Sequence, residues 1–97
     1  MADQKLERLS AAQAAELMAS VPDWTLDGGA ISRDFECKDF RGALAFVESV
    51  ADLAEEQDHH PEIAISYSRV HLSLSTYKAG GLTEKDFALA AAIDRLL

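Results

Sequence analysis

Between Asp39 and Leu74 the apolar residues keep two different periods in turn, and one kind of secondary structure cannot serve both. Phe40, Leu44, Val47, Val50 and Leu53-Ala54 recur at steps of three and four, which gathers them on one face of a helix. Beyond His59-His60-Pro61 the step changes to two: Ile63, Ile65 and Tyr67 share one parity, and Val70, Leu72 and Leu74 share another. These are the marks of strands. The opposite face of the last strand carries His71, Ser73, Ser75 and Tyr77, so one side of the sheet is polar, as in an antiparallel sheet with helices on only one face.

The remaining segments complete the pattern. "SAAQAAELMAS" opens with Ser10 as an N-cap and predicts a short first helix ending near Val21-Pro22. In "WTLDGGAISRDFEC", Trp24 alternates with Leu26, Asp27-Gly28-Gly29 supplies turn chemistry, and Ile31, Phe35 and Cys37 follow at even spacing, which predicts a β-hairpin. Arg33 falls on the same face as Ile31 and Phe35, a charge on the apolar side. Asp39 is placed to cap the central helix, which is expected to end around Glu56, and Ser68-Arg69 is the expected turn between the later strands. Gly80-Gly81 breaks the last strand. Thr83-x-x-Asp86 then starts a third helix built on Leu89, Ala90, Ile93 and Leu97. The predicted order is α-β-β-α-β-β-α, an α+β fold with helices packed on one face of a four-stranded antiparallel sheet. Residues 1–97 read as a single domain, with residues 1–8, "MADQKLER", expected to be flexible.

Charge narrows the function classes. Nine Lys and Arg against 17 Asp and Glu give a formal charge of −8, which repels phosphate backbones and anionic lipid headgroups, so direct nucleic-acid or membrane binding is not expected. The single Cys37 cannot form an intramolecular disulfide, and the first thirty residues lack a basic segment followed by an apolar one. No apolar run approaches the length of a membrane span. The expectation is a cytoplasmic protein.

The chemistry-bearing stretch is "EEQDHHPEIAISY". Histidine gives and takes protons near neutrality without much adjustment, so His59-His60 is a candidate acid-base pair, and Glu55, Glu56 and Asp58 beside it attract an imidazolium. An exposed loop that contains two imidazoles is the plainer alternative. Metal binding by Glu56, Asp58, His59 and His60 is disfavoured, because adjacent side chains diverge and neither a His at i+4 nor a cysteine partner is present. Capping of the third helix is enough to explain Asp86, and a turn with positive φ is enough to explain Gly80-Gly81. Trp24 and Phe40 read as core, and Cys37 as a small buried hydrophobe.

In combination these residues resemble the pterin-4a-carbinolamine dehydratase family, also known as the dimerisation cofactor of a homeodomain transcription factor. The resemblance runs from Trp24 through "ISRDFECKDFRGALAFVESVADLAEEQDHHPEI" to "GGLTEKDFALAAAID". Its most specific part is an ordered pattern. Three residues separate Glu55 from His59-His60-Pro61, Tyr67 follows after five more, and Asp86 follows a Gly-Leu-Thr turn. One element departs: where the family usually has Thr-His, this chain reads Thr76-Tyr77.

The resemblance implies a dehydratase that removes water from a 4a-hydroxytetrahydropterin to give the quinonoid dihydropterin, with no metal or organic cofactor. By carry-over His59, His60, Asp86 and Tyr77 form the catalytic set: His59 is an acid-base group, His60 contacts the pterin and Asp86 is a polar partner. Pro61 and Tyr77 join His60 in binding substrate, and these distant positions are expected to face one pocket. A phenol is a poor base at neutral pH, so Tyr77 is expected to weaken turnover. The opposing reading is a non-enzymatic protein of the same fold that binds or helps assemble a partner, whose identity the sequence does not name. The resemblance also implies a homodimer or homotetramer, as do sheet edges left open in a chain with a modest core.

Overall fold

The computed structural model describes residues 7–97. Most of the segment expected to be flexible, residues 1–6, lies outside the described residues. Helix α1 spans Ala11–Leu17 and tightens into a 3₁₀ turn over Met18–Ser20; strands β1 and β2 are Thr25–Asp27 and Ala30–Glu36; helix α2 is Phe40–Gln57. Strands β3 and β4 are Glu62–Ser66 and Arg69–Leu74, a 3₁₀ turn covers Tyr77–Ala79, and helix α3 is Glu84–Asp94. The strands form one antiparallel sheet in the order β1-β2-β4-β3. The α+β class and the order of helices and strands match the expectation.

Each helix starts where its sequence supplies an acceptor for the free N–H groups of the first turn. Ser10 caps α1 with Gln13 in a reciprocal box, Asp39 accepts from the Gly42 N–H at 2.8 Å, and Thr83 caps α3. Under the helices, Ile31 and Phe35 of β2 and Val70, Leu72 and Leu74 of β4 form the floor of the core. Val50 and Ala54 of α2, together with Phe87, Leu89 and Ile93 of α3, close it from above. Trp24 is buried as expected, edge-on to Phe35 at a ring separation of 6.0 Å.

Arg33 keeps the core parity that its position demands, and the structure shows what makes that tolerable. Its guanidinium lies 2.7 Å from an Asp94 carboxylate oxygen, 3.7 Å from Asp23, and over the Phe35 ring at 4.6 Å. The same Asp94 oxygen accepts the Trp24 indole N–H at 2.9 Å. A charge largely withdrawn from water has been given a carboxylate and a ring face instead.

Several boundaries and faces differ from the sequence reading. The β3–β4 turn is Tyr67-Ser68 rather than Ser68-Arg69, because Ser66 pairs with Arg69 and Tyr67 takes a left-handed φ of 57°. Tyr77 is not on β4, which ends at Leu74, but in the following 3₁₀ turn. Leu97 lies beyond α3 and is exposed. Ile63 and Ile65 pair with Leu72 and Val70 and so face the helices, yet both stay exposed. The reason is position: β3 is an edge strand, and α2 packs on β4 and α3. Phe40 and Leu44, at the start of the α2 stripe, are uncovered for the same reason, so Phe40 is not core.

Candidate functional site

Helix α2 delivers the two histidines and its terminus sends them in different directions. Asp58 ends the helix in the left-handed conformation, φ 52°, and the His59 N–H turns back to the Ala54 carbonyl at 3.0 Å. Pro61 then admits only an extended path into β3. As a result His59 is turned inward and buried, while the neighbouring His60 remains exposed.

The inward ring meets the third helix. His59 Nε2 lies 2.5 Å from Asp86 Oδ1, and Asp86 is completely buried. Its other oxygen, Oδ2, accepts the Thr83 N–H at 3.0 Å and the Thr76 hydroxyl at 2.8 Å. Asp86 therefore makes two kinds of contact: one oxygen starts α3 and the other holds an imidazole. A buried charge needs this many partners, and among the described residues no buried side-chain nitrogen or oxygen is left unpaired.

The outward ring belongs to a second group. His60 Nε2 contacts Glu55 Oε2 at 2.6 Å, one helical turn back, with both side chains largely in solvent. His60 and Tyr77 line a cavity of about 390 Å³ together with Ala30, Glu62, Ser73 and Ser75. Tyr77 is 94% exposed, so its phenol is held by nothing inside the fold. Pro61, half-buried, links the His60 side to β3.

Thus the structure joins His59 to Asp86 and brings His60 beside Tyr77, and His59 and Asp86 do not themselves line the cavity. One residue connects the two groups: Thr76 bonds Asp86 through its side chain and precedes Tyr77 in the chain. Its backbone is clamped by a two-way bridge to Gly81, with Thr76 N–H to Gly81 O at 2.9 Å and Gly81 N–H to Thr76 O at 3.3 Å. Gly80 closes that loop with a φ of 76°, which glycine adopts without strain. A Cβ at Gly81 would meet the Arg8 side chain at 2.8 Å.

Sequence reasoning names Thr76 only beside Tyr77 and gives it no role, although a signal for one exists. It continues the buried parity of Val70, Leu72 and Leu74, and a hydroxyl at a core-facing position must find a hydrogen-bond partner. His71, the remaining histidine, contacts Asp34 at 2.5 Å on the open face of the sheet and takes no part in either group. Among the described residues no cluster of three or more His, Cys, Asp or Glu is arranged to hold a metal ion, and no helix is long and apolar enough to cross a membrane.

Comparison with known proteins agrees with the pattern. Residues 7–96 match the family model described as pterin 4 alpha carbinolamine dehydratase. A protein of Chloroflexus aurantiacus named "Putative pterin-4-alpha-carbinolamine dehydratase" is 55% identical over 92 residues, covering 95% of this chain and 99% of that one. A protein of the same name from Thermomicrobium roseum is 50% identical over 91 residues, covering 94% of this chain and 98% of its own. Among solved structures, a transcriptional coactivator/pterin dehydratase from Brucella melitensis superposes with a TM-score of 0.87 at 35% identity, over 93% of this chain and 98% of that one. A pterin dehydratase-like protein identified as a RuBisCO assembly factor in the alpha-carboxysome superposes with a TM-score of 0.61 at 26% identity, over 75% and 84% of the two chains. With nearly its whole described length matched by the family model and by relatives of half its sequence or more, this chain belongs to the pterin-4a-carbinolamine dehydratase family.

Proposed function

We propose that this protein dehydrates a 4a-hydroxytetrahydropterin to the quinonoid dihydropterin. The observation that carries the reading is the buried contact between His59 and Asp86, which gives an imidazole a fixed orientation at the position where the family pattern has its acid-base histidine. Departure of the C4a oxygen as water requires a proton on that oxygen, and a second proton must leave the pterin. Two imidazoles with unlike surroundings suit that division: one is buried against a buried carboxylate, and the other, paired with the exposed Glu55, stands in solvent at a cavity within the range of about 300–1,000 Å³ typical of small-molecule sites. In this reading His59 transfers the proton, Asp86 orients it, and His60 with Pro61 and Tyr77 receives the substrate. No metal or organic cofactor is required by this chemistry. The open β3 edge and the exposed Phe40, Leu44, Ile63 and Ile65 support assembly into a homodimer or homotetramer. The test is turnover by the purified protein with a 4a-hydroxytetrahydropterin, against the spontaneous rate. Release of quinonoid product at the spontaneous rate only, in both wild type and His59→Ala, would overturn the reading.

A second reading has its own observation. Tyr77 occupies the third-histidine position and is almost wholly in solvent, so the cavity lacks one group able to titrate near neutrality. A family relative named as a RuBisCO assembly factor gives the alternative a precedent: a binding or assembly protein on the dehydratase fold. Pterin binding without turnover would favour it.

A further inference from the structure

The hydroxyls behind Asp86 can be assigned a direction, and the direction reaches the imidazole. A threonine hydroxyl has one proton to donate. The Thr76 proton goes to Asp86 Oδ2 at 2.8 Å, so in the 2.7 Å contact between Thr76 Oγ1 and Thr83 Oγ1 the proton belongs to Thr83. Thr83 Oγ1 in turn accepts the Lys85 N–H at 3.3 Å. Thr76, Thr83 and Asp86 are all buried, so water cannot reverse these assignments. Every bond runs toward Asp86: its Oδ2 takes two donors in the first turn of α3, the setting of a carboxylate anion. A carboxylate only accepts. The proton in the 2.5 Å contact with Oδ1 therefore sits on His59 Nε2.

We propose that Thr76, backed by Thr83, is a positioning residue that holds Asp86 as an acceptor and so fixes His59 as the Nε2–H tautomer. Nδ1 is then the nitrogen that gains and loses the proton of the reaction. It has no partner among the described residues, and since none of their buried side-chain nitrogens is left unpaired, it keeps contact with solvent. The assignment of a catalytic task to Nδ1 rests on reading His59 as the acid-base group; the tautomer does not.

Two measurements separate these. Long-range ¹H–¹⁵N correlation of labelled protein, at a pH where the rings are neutral, reads which nitrogen of His59 carries the proton. The expected wild-type pattern is a lone pair on Nδ1. Thr76→Val should shift His59 toward a mixture of tautomers and lower kcat about tenfold or more with little change in KM, and Thr76→Ser should restore both. A wild-type proton on Nδ1 overturns the proposal whether or not any variant folds. So does an unchanged tautomer in a folded Thr76→Val. If the wild type turns over no pterin, the dehydratase reading fails, while the tautomer and its response to Thr76 still decide the positioning role.

Discussion

Asp86 meets His59 through one carboxylate oxygen, at 2.5 Å, while its other oxygen caps the helix on which Asp86 stands. The helix cap and the hold on His59 thus share one side chain. Asp86→Asn keeps the volume but offers an amide where the network needs an acceptor. We expect a loss of about 1–3 kcal/mol in unfolding free energy, from the weakened cap and an unsatisfied buried group. Turnover should fall about 10²–10⁴-fold. Chemical denaturation alongside the turnover assay checks both.

Tyr77 should behave in the opposite way. Because its side chain stands in solvent, Tyr77→His is expected to change stability by no more than about 0.5 kcal/mol. It should raise kcat by adding a group that titrates near neutrality beside His60. Steady-state kinetics of the variant decide this, and an unchanged rate would mean that the phenol is not what limits turnover.

His60 is paired with Glu55 on the surface, an arrangement worth about 0–1 kcal/mol at most. His60→Ala should therefore leave the melting temperature nearly unchanged and weaken pterin binding, read by calorimetric titration. Equal affinity in the variant would place the substrate elsewhere than the cavity that His60 lines.

The open face offers a pH test independent of the site. The Ser68 hydroxyl, followed by the Arg69 guanidinium, holds the Glu36 carboxyl below its ordinary value of 4.5. A carboxylate with a lower pKa in the folded than in the unfolded chain contributes stability above the unfolded value and loses it as pH falls through the folded one. Glu36→Gln should thus flatten the decline in stability below about pH 4.5 relative to wild type, by a small amount since the group is exposed and screened by solvent. Urea midpoints measured down the acid limb check the sign.

Self-association should be visible by sedimentation at micromolar concentration. Replacing Ile63 and Ile65 together with lysine places charges on an open edge strand and should shift the population toward monomer. A wild type that stays monomeric throughout would count against assembly.

Periodicity made the fold readable because both α2 and β4 bury a single face, and burial writes its period into the sequence. It failed where an apolar stripe outruns its cover: Phe40, Ile63 and Ile65 carry the right parity, but the sheet order leaves them at an edge, and strand order is not written locally. Tyr67 fits the strand alternation, whereas the register of β3 on β4 puts it in the turn. At the site, the residues alone mark His59-His60 as a candidate acid-base pair, whereas Asp86 reads as a helix cap and gains a site role only through the family resemblance. That adjacent histidines would serve different partners followed from strand and helix geometry, but which one turned inward depended on the left-handed Asp58. Thr76 is named only beside Tyr77 and given no role, because a lone threonine among serines looks like strand surface until the parity is counted.

Since paired hydrogen bonds pinch the backbone at Thr76 and Gly81, the residues between them hang from the body of the protein as a tab. The first of these is Tyr77, and nothing inside the fold depends on its side chain. Tyrosine and histidine codons differ by a single base. Exchange at this position is therefore a short evolutionary step that folding cannot oppose, and lineages built on this scaffold can acquire or discard a titrating group there while the buried half of the site stays intact.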